Sequence, residues 1–229
     1  MTPAISGISS MATKAVLARL ADAYLAQTGR NVAIESVGGI DAAQRVIAGE
    51  PFDVVVLARH AIDELLAGGH VAARSDVDLA RSQVAIAVQA GARRPDVSSE
   101  ADLERAVRAA RTIGISTGPS GVGLRQLFGR WGIADVIGAR IIKAPPGVPV
   151  GRLVARGDAE LGFQQLSELV HLDGVDVLGP LPSAIQITTT FTAAVGSRAR
   201  QPASARDLIA FMAGPSAAAV KRHEGMEPA

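Results

Sequence analysis

The 229-residue sequence contains no cysteine. That excludes disulfides, thiolate nucleophiles and thiolate metal sites, and leaves cytoplasm and periplasm equally open. Aromatic residues make up 3% of the chain, and 23 Lys and Arg are balanced by 22 Asp and Glu. The sequence therefore offers neither a stacking surface nor a net field for nucleic acid, and no nucleic-acid partner is expected. No apolar run approaches the roughly 20 residues needed to cross a bilayer, so the chain is not expected to be membrane-embedded. The N-terminus also lacks the basic and apolar regions of a secretory signal. The expectation is a cytoplasmic protein if Met1 is the natural start, and a periplasmic one if a leader has been removed.

Several chemical motifs are missing as well. His60, His70, His171 and His223 have no metal-ligand spacing and no HExxH occurs, so no metal or cofactor is expected. The loop GPSGVG at residues 118–123 has no Lys where a P-loop needs one, and Gly121-Val122-Gly123 is followed by Leu, Arg and Gln rather than the dinucleotide pattern. A Gly-x-Ser-x-Gly elbow is also lacking, which leaves a hydrolase serine without support.

What is present is alternation. Strand-like and helix-like segments follow one another through most of the chain, as in an α/β protein with largely parallel sheets. ISGISS leads into a helix with Val16, Leu17, Leu20 and Tyr24 on one face, capped by Ser9 or Ser10. FDVVVLA reads as a strand covered on both faces. RSQVAIAVQ runs into a Gly, Arg and Pro-rich connection, and a second α/β set begins with a helix at SSEADLERAVRAA. The turn GPSG then precedes the helix VGLRQLFGRWG, ELGFQQ is a strand followed by LSELVHL, and IQITTTFTAAVG is a long alternating strand before two C-terminal helices.

Three strand-to-helix junctions share one chemical character. Ser9-Ser10, Gly38-Gly39 and the run Ser116-Thr117-Gly118-Pro119-Ser120-Gly121 each place hydroxyls or glycine amides where a helix starts. Such junctions collect at the carboxyl ends of strands, where α/β sheets bind ligands, and free helix amides favour an anion. Arg59-His60 directly follows FDVVVLA. Arg59 has the fork to hold a carboxylate and His60 the titration range to move a proton, with Glu35 or Asp41 as fallback bases. Gln164 and Gln165 end ELGFQQ, where one amide can reach the same crevice or simply satisfy a loop.

In their order along the chain, ISSMATKAVLARLADAYLAQTGRNVAIES, RVIAGEPFDVVVLA, VARGDAELGFQQLSEL and ARDLIAFMAGPSAAAVKRHEGMEPA resemble the type 2 periplasmic-binding-protein fold, in its molybdate-binding-protein-like branch. The resemblance implies two α/β lobes, 1–84 with the return segment 187–229, and 85–186, with a ligand cleft between them. It places the ligand at Ser9-Ser10, Gly38-Gly39 and the Ser116 to Gly121 loop. The chain departs from the oxyanion binders by having Gly38-Gly39 where they commonly have hydroxyls, and Gln164-Gln165 where they reach a tyrosine. These departures favour an organic polycarboxylate over a metal oxyanion.

Such a protein is expected to bind a small anion, with an ABC transporter permease as partner only if it is exported. Some enzymes of the fold, the aconitate isomerases, resemble this branch too. The alternative is therefore a cofactor-free isomerase of an unsaturated carboxylate, and a third reading is a ligand-sensing module.

Overall fold

The computed structural model describes residues 3–145 and 147–229; Met1, Thr2 and Pro146 lie outside the described residues. The chain forms two compact units, Met1–Ser82 with Thr190–Ala229, and Gln83–Thr189. Among the described residues no helix is long and apolar enough to cross a membrane.

The first unit opens with β1 (Ile5–Ser10), α1 (Lys14–Thr28), β2 (Val32–Val37), α2 (Gly39–Ile47), β3 (Val54–Ala58) and α3 (Arg59–Ala67). Strand β1 lies between β2 and β3 and is parallel to both, with Ser9 opposite Ser36 on one side and Val56 on the other. All three strands therefore point the same way, and their carboxyl ends share one edge. Strand β3 is buried throughout, as a sheet covered on both faces requires. Val54, Val56 and Ala58 pack with Leu17, Leu20 and Tyr24 of α1, while Val55 and Leu57 pack with Ile62 and Leu65 of α3.

The chain crosses into the second unit within β4 (Val77–Gln89). There follow α4 (Glu100–Ala109), β5 (Ile113–Ile115), α5 (Pro119–Arg130), α6 (Ala134–Ile137), β6 (Ile141–Lys143), α7 (Val150–Ala155), β7 (Leu161–Gln165) and β8 (Val175–Pro180). Strand β5 is parallel to β6 and β7, whereas β4 runs antiparallel to β7 and β8. Gly114 and Gly162 lack the side chains that would meet Val150 and Val154, which lets α7 sit directly on β5 and β7. Phe128 meets Phe163 edge-on at 6.1 Å in the core on the other face. The chain returns through β9 (Thr188–Val195), α8 (Pro202–Ala213), α9 (Ala218–His223) and β10 (Glu227–Pro228).

Two local expectations change, at the start of α5 and along β9. Helix α5 starts at Pro119, earlier than the apolar pattern suggested, because proline suits a first helical position; Ser120 and Gly121 are thus in its first turn. Strand β7 is followed by a single 3-10 turn, Leu166–Glu168. Strand β9 alternates only at its start and is then buried on both faces beside β3.

A buried carboxylate ties the first unit together. Asp53, just before β3, accepts the Ser6 N–H (2.9 Å) and Ser6 hydroxyl (2.9 Å) from β1, and the Arg200 and Gln201 N–H groups (both 2.8 Å) ahead of α8. Burial alone would raise its pKa, but these four donors together hold it below the usual range. A depressed carboxylate stabilises the fold above its unfolded pKa, and that contribution is lost as pH falls through the folded value. Asp53→Asn is expected to cost about 3 kcal/mol in urea unfolding at pH 7, with the difference from wild type shrinking below about pH 4.

Lys221 of α9 is 2% exposed and lines a small, otherwise mostly apolar cavity with Thr13, Leu17, Val56, Phe191 and Met226. Among the described residues its ammonium has no hydrogen-bond or ion-pair partner, and desolvation lowers its pKa. The folded state therefore pays for the charged form until pH approaches the unfolded lysine value near 10. Lys221→Met is expected to raise stability at pH 7 by about 1 kcal/mol, an advantage that fades toward pH 10 when melting curves of the two proteins are compared.

Candidate functional site

In the first unit, the carboxyl end of β1 carries two hydroxyls with different duties. Ser9 is fully buried and its Oγ lies 2.8 Å from Ser36 Oγ, its register partner on β2. Ser10 caps the single 3-10 turn that precedes α1, its Oγ accepting the Ala12 N–H at 3.4 Å. The Thr13 hydroxyl donates to the Ser10 carbonyl at 2.9 Å. Ser10 Oγ donates to no acceptor among the described residues, so its proton is available to a ligand.

Gly38 ends the run out of β2 and is the N-cap of α2, with no side chain to occupy the first-turn amides. A Cβ on Gly39 would lie 3.9 Å from Ser10 Oγ. The two junctions therefore adjoin, and a hydroxyl and a set of helix amides face one place.

The Arg59-His60 pair differs from expectation. Arg59 opens α3, but its Nε donates to Asp63 Oδ1 (2.9 Å), its Nη2 pairs with Asp76 Oδ2 (3.0 Å) and its Nη1 with Asp78 Oδ1 (3.3 Å). Three carboxylates of the chain surround the guanidinium, so no free fork is left for a ligand carboxylate. Asp78 also accepts the Thr192 hydroxyl at 2.6 Å, which fixes it in place. His60 is exposed and has no hydrogen bond among the described residues; nothing orients its ring. Glu35 is held by Arg45 at 2.7 Å, a hydrogen bond that keeps its carboxyl below the usual range, and Asp41 is exposed in the first turn of α2.

The second unit repeats the hydroxyl arrangement at the carboxyl end of β5. Ser116 Oγ and Ser120 Oγ are 2.8 Å apart, and Ser120 is buried. Gly118 is the N-cap of α5 and again offers no side-chain cap. Gly121 is required by the turn: a Cβ there would overlap the Ser116 carbonyl oxygen. Thr117 is exposed beside this loop.

Gln164 and Gln165 end β7, whose residues Leu161 and Phe163 pair with Ile113 and Ile115 of parallel β5, so this edge also carries the Ser116–Ser120 pair. The two amides point to opposite faces. Gln164 Oε1 accepts the Gly151 N–H of α7 (2.9 Å), and its Nε2 donates to Glu168 (2.8 Å). Gln165 Nε2 donates to Thr189 Oγ1 (2.7 Å), whereas its Oε1 is buried without a partner. An orphaned buried amide atom is costly. With the amide turned over, Thr189 would donate to Oε1.

Sequence reasoning missed Ser36, Thr189 and Glu168. Ser36 was detectable in principle as the parallel-register partner of Ser9; Thr189 and Glu168 join only through tertiary contacts.

A parallel α/β arrangement with hydroxyls and unfilled helix N-termini at its strand ends is that of a type 2 periplasmic-binding-protein fold. Residues 5–227 match the family of bacterial extracellular solute-binding proteins, and the chain belongs to that family. It is 37% identical to the aconitate isomerase of a Pseudomonas species, over 96% of this chain and 86% of that one. Among solved structures it is similar to the periplasmic molybdate-binding protein of Azotobacter vinelandii (TM-score 0.83, 22% identity, 97% of this chain and 98% of that one). It is also similar to the sulfate-binding protein of Mycobacterium tuberculosis (TM-score 0.79, 16% identity, 99% and 87%).

Two glycines of one helix separate the site's needs from ordinary helix stability. Gly121→Ala is expected to destabilise the protein by about 1 to 3 kcal/mol through overlap with Ser116. Gly129→Ala, where nothing lies within 4 Å of the added carbon, is expected to stabilise it by about 0.5 to 1 kcal/mol. Chemical denaturation of both variants checks the pair.

Proposed function

We propose that this protein binds a small organic polycarboxylate through the hydroxyl-lined strand ends of its two units. One observation carries the reading: each unit sets two serine hydroxyls 2.8 Å apart at the carboxyl end of its parallel strands, Ser9 with Ser36 across β1 and β2, and Ser116 with Ser120 between the end of β5 and the first turn of α5, near a helix N-terminus that no side chain caps. Neutral donors of this kind hold an anion by several directed hydrogen bonds, reinforced by the positive helix ends. Likeness to a molybdate binder and a sulfate binder supports an anionic ligand. Gly38-Gly39, which put no side chains at the start of α2, favour a larger ligand. An exported form of the protein would deliver its ligand to an ABC transporter permease.

A second reading has its own support. Identity of 37% across nearly the whole chain to an aconitate isomerase favours a protein that also turns over an unsaturated tricarboxylate, moving its double bond without a cofactor.

A thermal-shift panel of molybdate, tungstate, sulfate, phosphate and di- and tricarboxylates tests the binding claim, because a ligand selective for the native state raises its melting temperature. A tricarboxylate is expected to give the largest shift. Ser10→Ala and Ser120→Ala should each weaken that ligand by about 1 to 2 kcal/mol in calorimetry, the scale of one hydrogen bond to a charged group. No shift with any anion at millimolar concentration, or unchanged affinity in both variants, contradicts the assignment.

A further inference from the structure

We infer that Glu168 is the group that carries the proton in the isomerase reading, on which this inference rests. Three other groups that could move a proton are poorly placed: His60 is exposed and unoriented, Glu35 is bound by Arg45, and Asp41 is exposed. Glu168 differs from all three in being partly buried and fixed. It closes the single turn after β7, at the strand edge that β7 shares with β5 and the Ser116–Ser120 pair.

Its orientation is determined by a two-bond relay. Gln164 Oε1 is taken by the Gly151 N–H, so the Gln164 amide cannot turn over without losing that bond, and its N–H remains directed at Glu168 Oε1. Glu168 Oε2 has no partner among the described residues, yet it is not among the sealed, unsatisfied atoms. One carboxylate oxygen is thus anchored and the other is open. Burial pushes the carboxyl up to about 7, against the lowering effect of the Gln164 hydrogen bond. Acid and base forms are then both populated near neutrality, as a group that takes up and returns a proton requires.

The step balances without any co-reactant. Glu168 Oε2 removes a proton from the methylene carbon of an unsaturated tricarboxylate. The C–H electron pair moves into the allylic system and onto the adjacent substrate carboxylate, where hydroxyl and amide donors stabilise the added charge. The protonated Glu168 then gives its proton to the far allylic carbon; a new C–H bond forms, the double bond has moved one position, and the carboxylate is regenerated.

Incubation of the protein with cis- or trans-aconitate in heavy water, followed by proton NMR, tests this. Wild type is expected to interconvert the isomers and exchange a carbon-bound proton. Glu168→Gln is expected to lower that rate about a hundredfold or more, with calorimetric affinity for the same tricarboxylate within about threefold, since a proton carrier acts chiefly in the transition state. Glu168→Asp, which keeps the carboxyl, should retain more activity than Glu168→Gln. The wild-type kcat/KM should show a limb that rises with pH through about 7.

Exchange that persists in Glu168→Gln overturns the inference alone. Binding of a tricarboxylate by wild type without any exchange overturns the isomerase reading and this inference together, while leaving binding intact. Should Glu168→Gln fail to fold by circular dichroism, the pH profile decides: a limb near 7 supports Glu168, and a flat profile between about pH 6 and 8 overturns it.

Discussion

The parallel register of β1 between β2 and β3 is the constraint on which the first unit depends. It puts Ser9 beside Ser36 and brings Ser10 next to Gly39. Asp53 anchors the other end of the same strands, where four donors from β1 and the return segment converge on one carboxylate. A slip of one residue would reverse the face of every β1 side chain. It would remove Ile5 and Ile8 from their cores and break the Ser6–Asp53 contacts. The hydroxyls at the carboxyl end are therefore positioned by interactions at the amino end.

The chemistry at these strand ends is built from neutral donors. Two arginines near the first unit's junctions are committed to the protein's own acids: Arg45 to Glu35 and Glu50, and Arg59 to Asp63, Asp76 and Asp78. Selectivity built on hydroxyls and helix amides depends on the placing of each acceptor in the ligand, because leaving a buried donor unmatched costs more than matching it contributes. Such a site discriminates among anions of equal charge by shape and by hydrogen-bond pattern.

Much of this was legible in the sequence. Continuous apolar runs such as VVVLA mark strands covered on both faces, and the serine and glycine junctions are local features that survive folding unchanged. Arg59 was misread because its partners Asp76 and Asp78 come from a later segment, and no local pattern shows that a guanidinium is already neutralised. Glu168 was hidden for a related reason: in LSEL it looks like a solvated acid, and only the packing of α7 on β7 brings Gly151 and Gln164 into line with it. Lys221, within the polar run KRH, likewise reads as surface until α9 is laid over the core of the first unit.

The central claim is that hydroxyl-lined strand ends beside uncapped helix N-termini hold the proposed polycarboxylate, and amide hydrogen exchange tests it most directly. With a tricarboxylate at saturation, the account predicts slowed exchange at the amides of residues 39–41 and of residues 118–121 together, at the same ligand concentration. Protection confined to one of these segments, or centred on Arg59 and its aspartates, would contradict it.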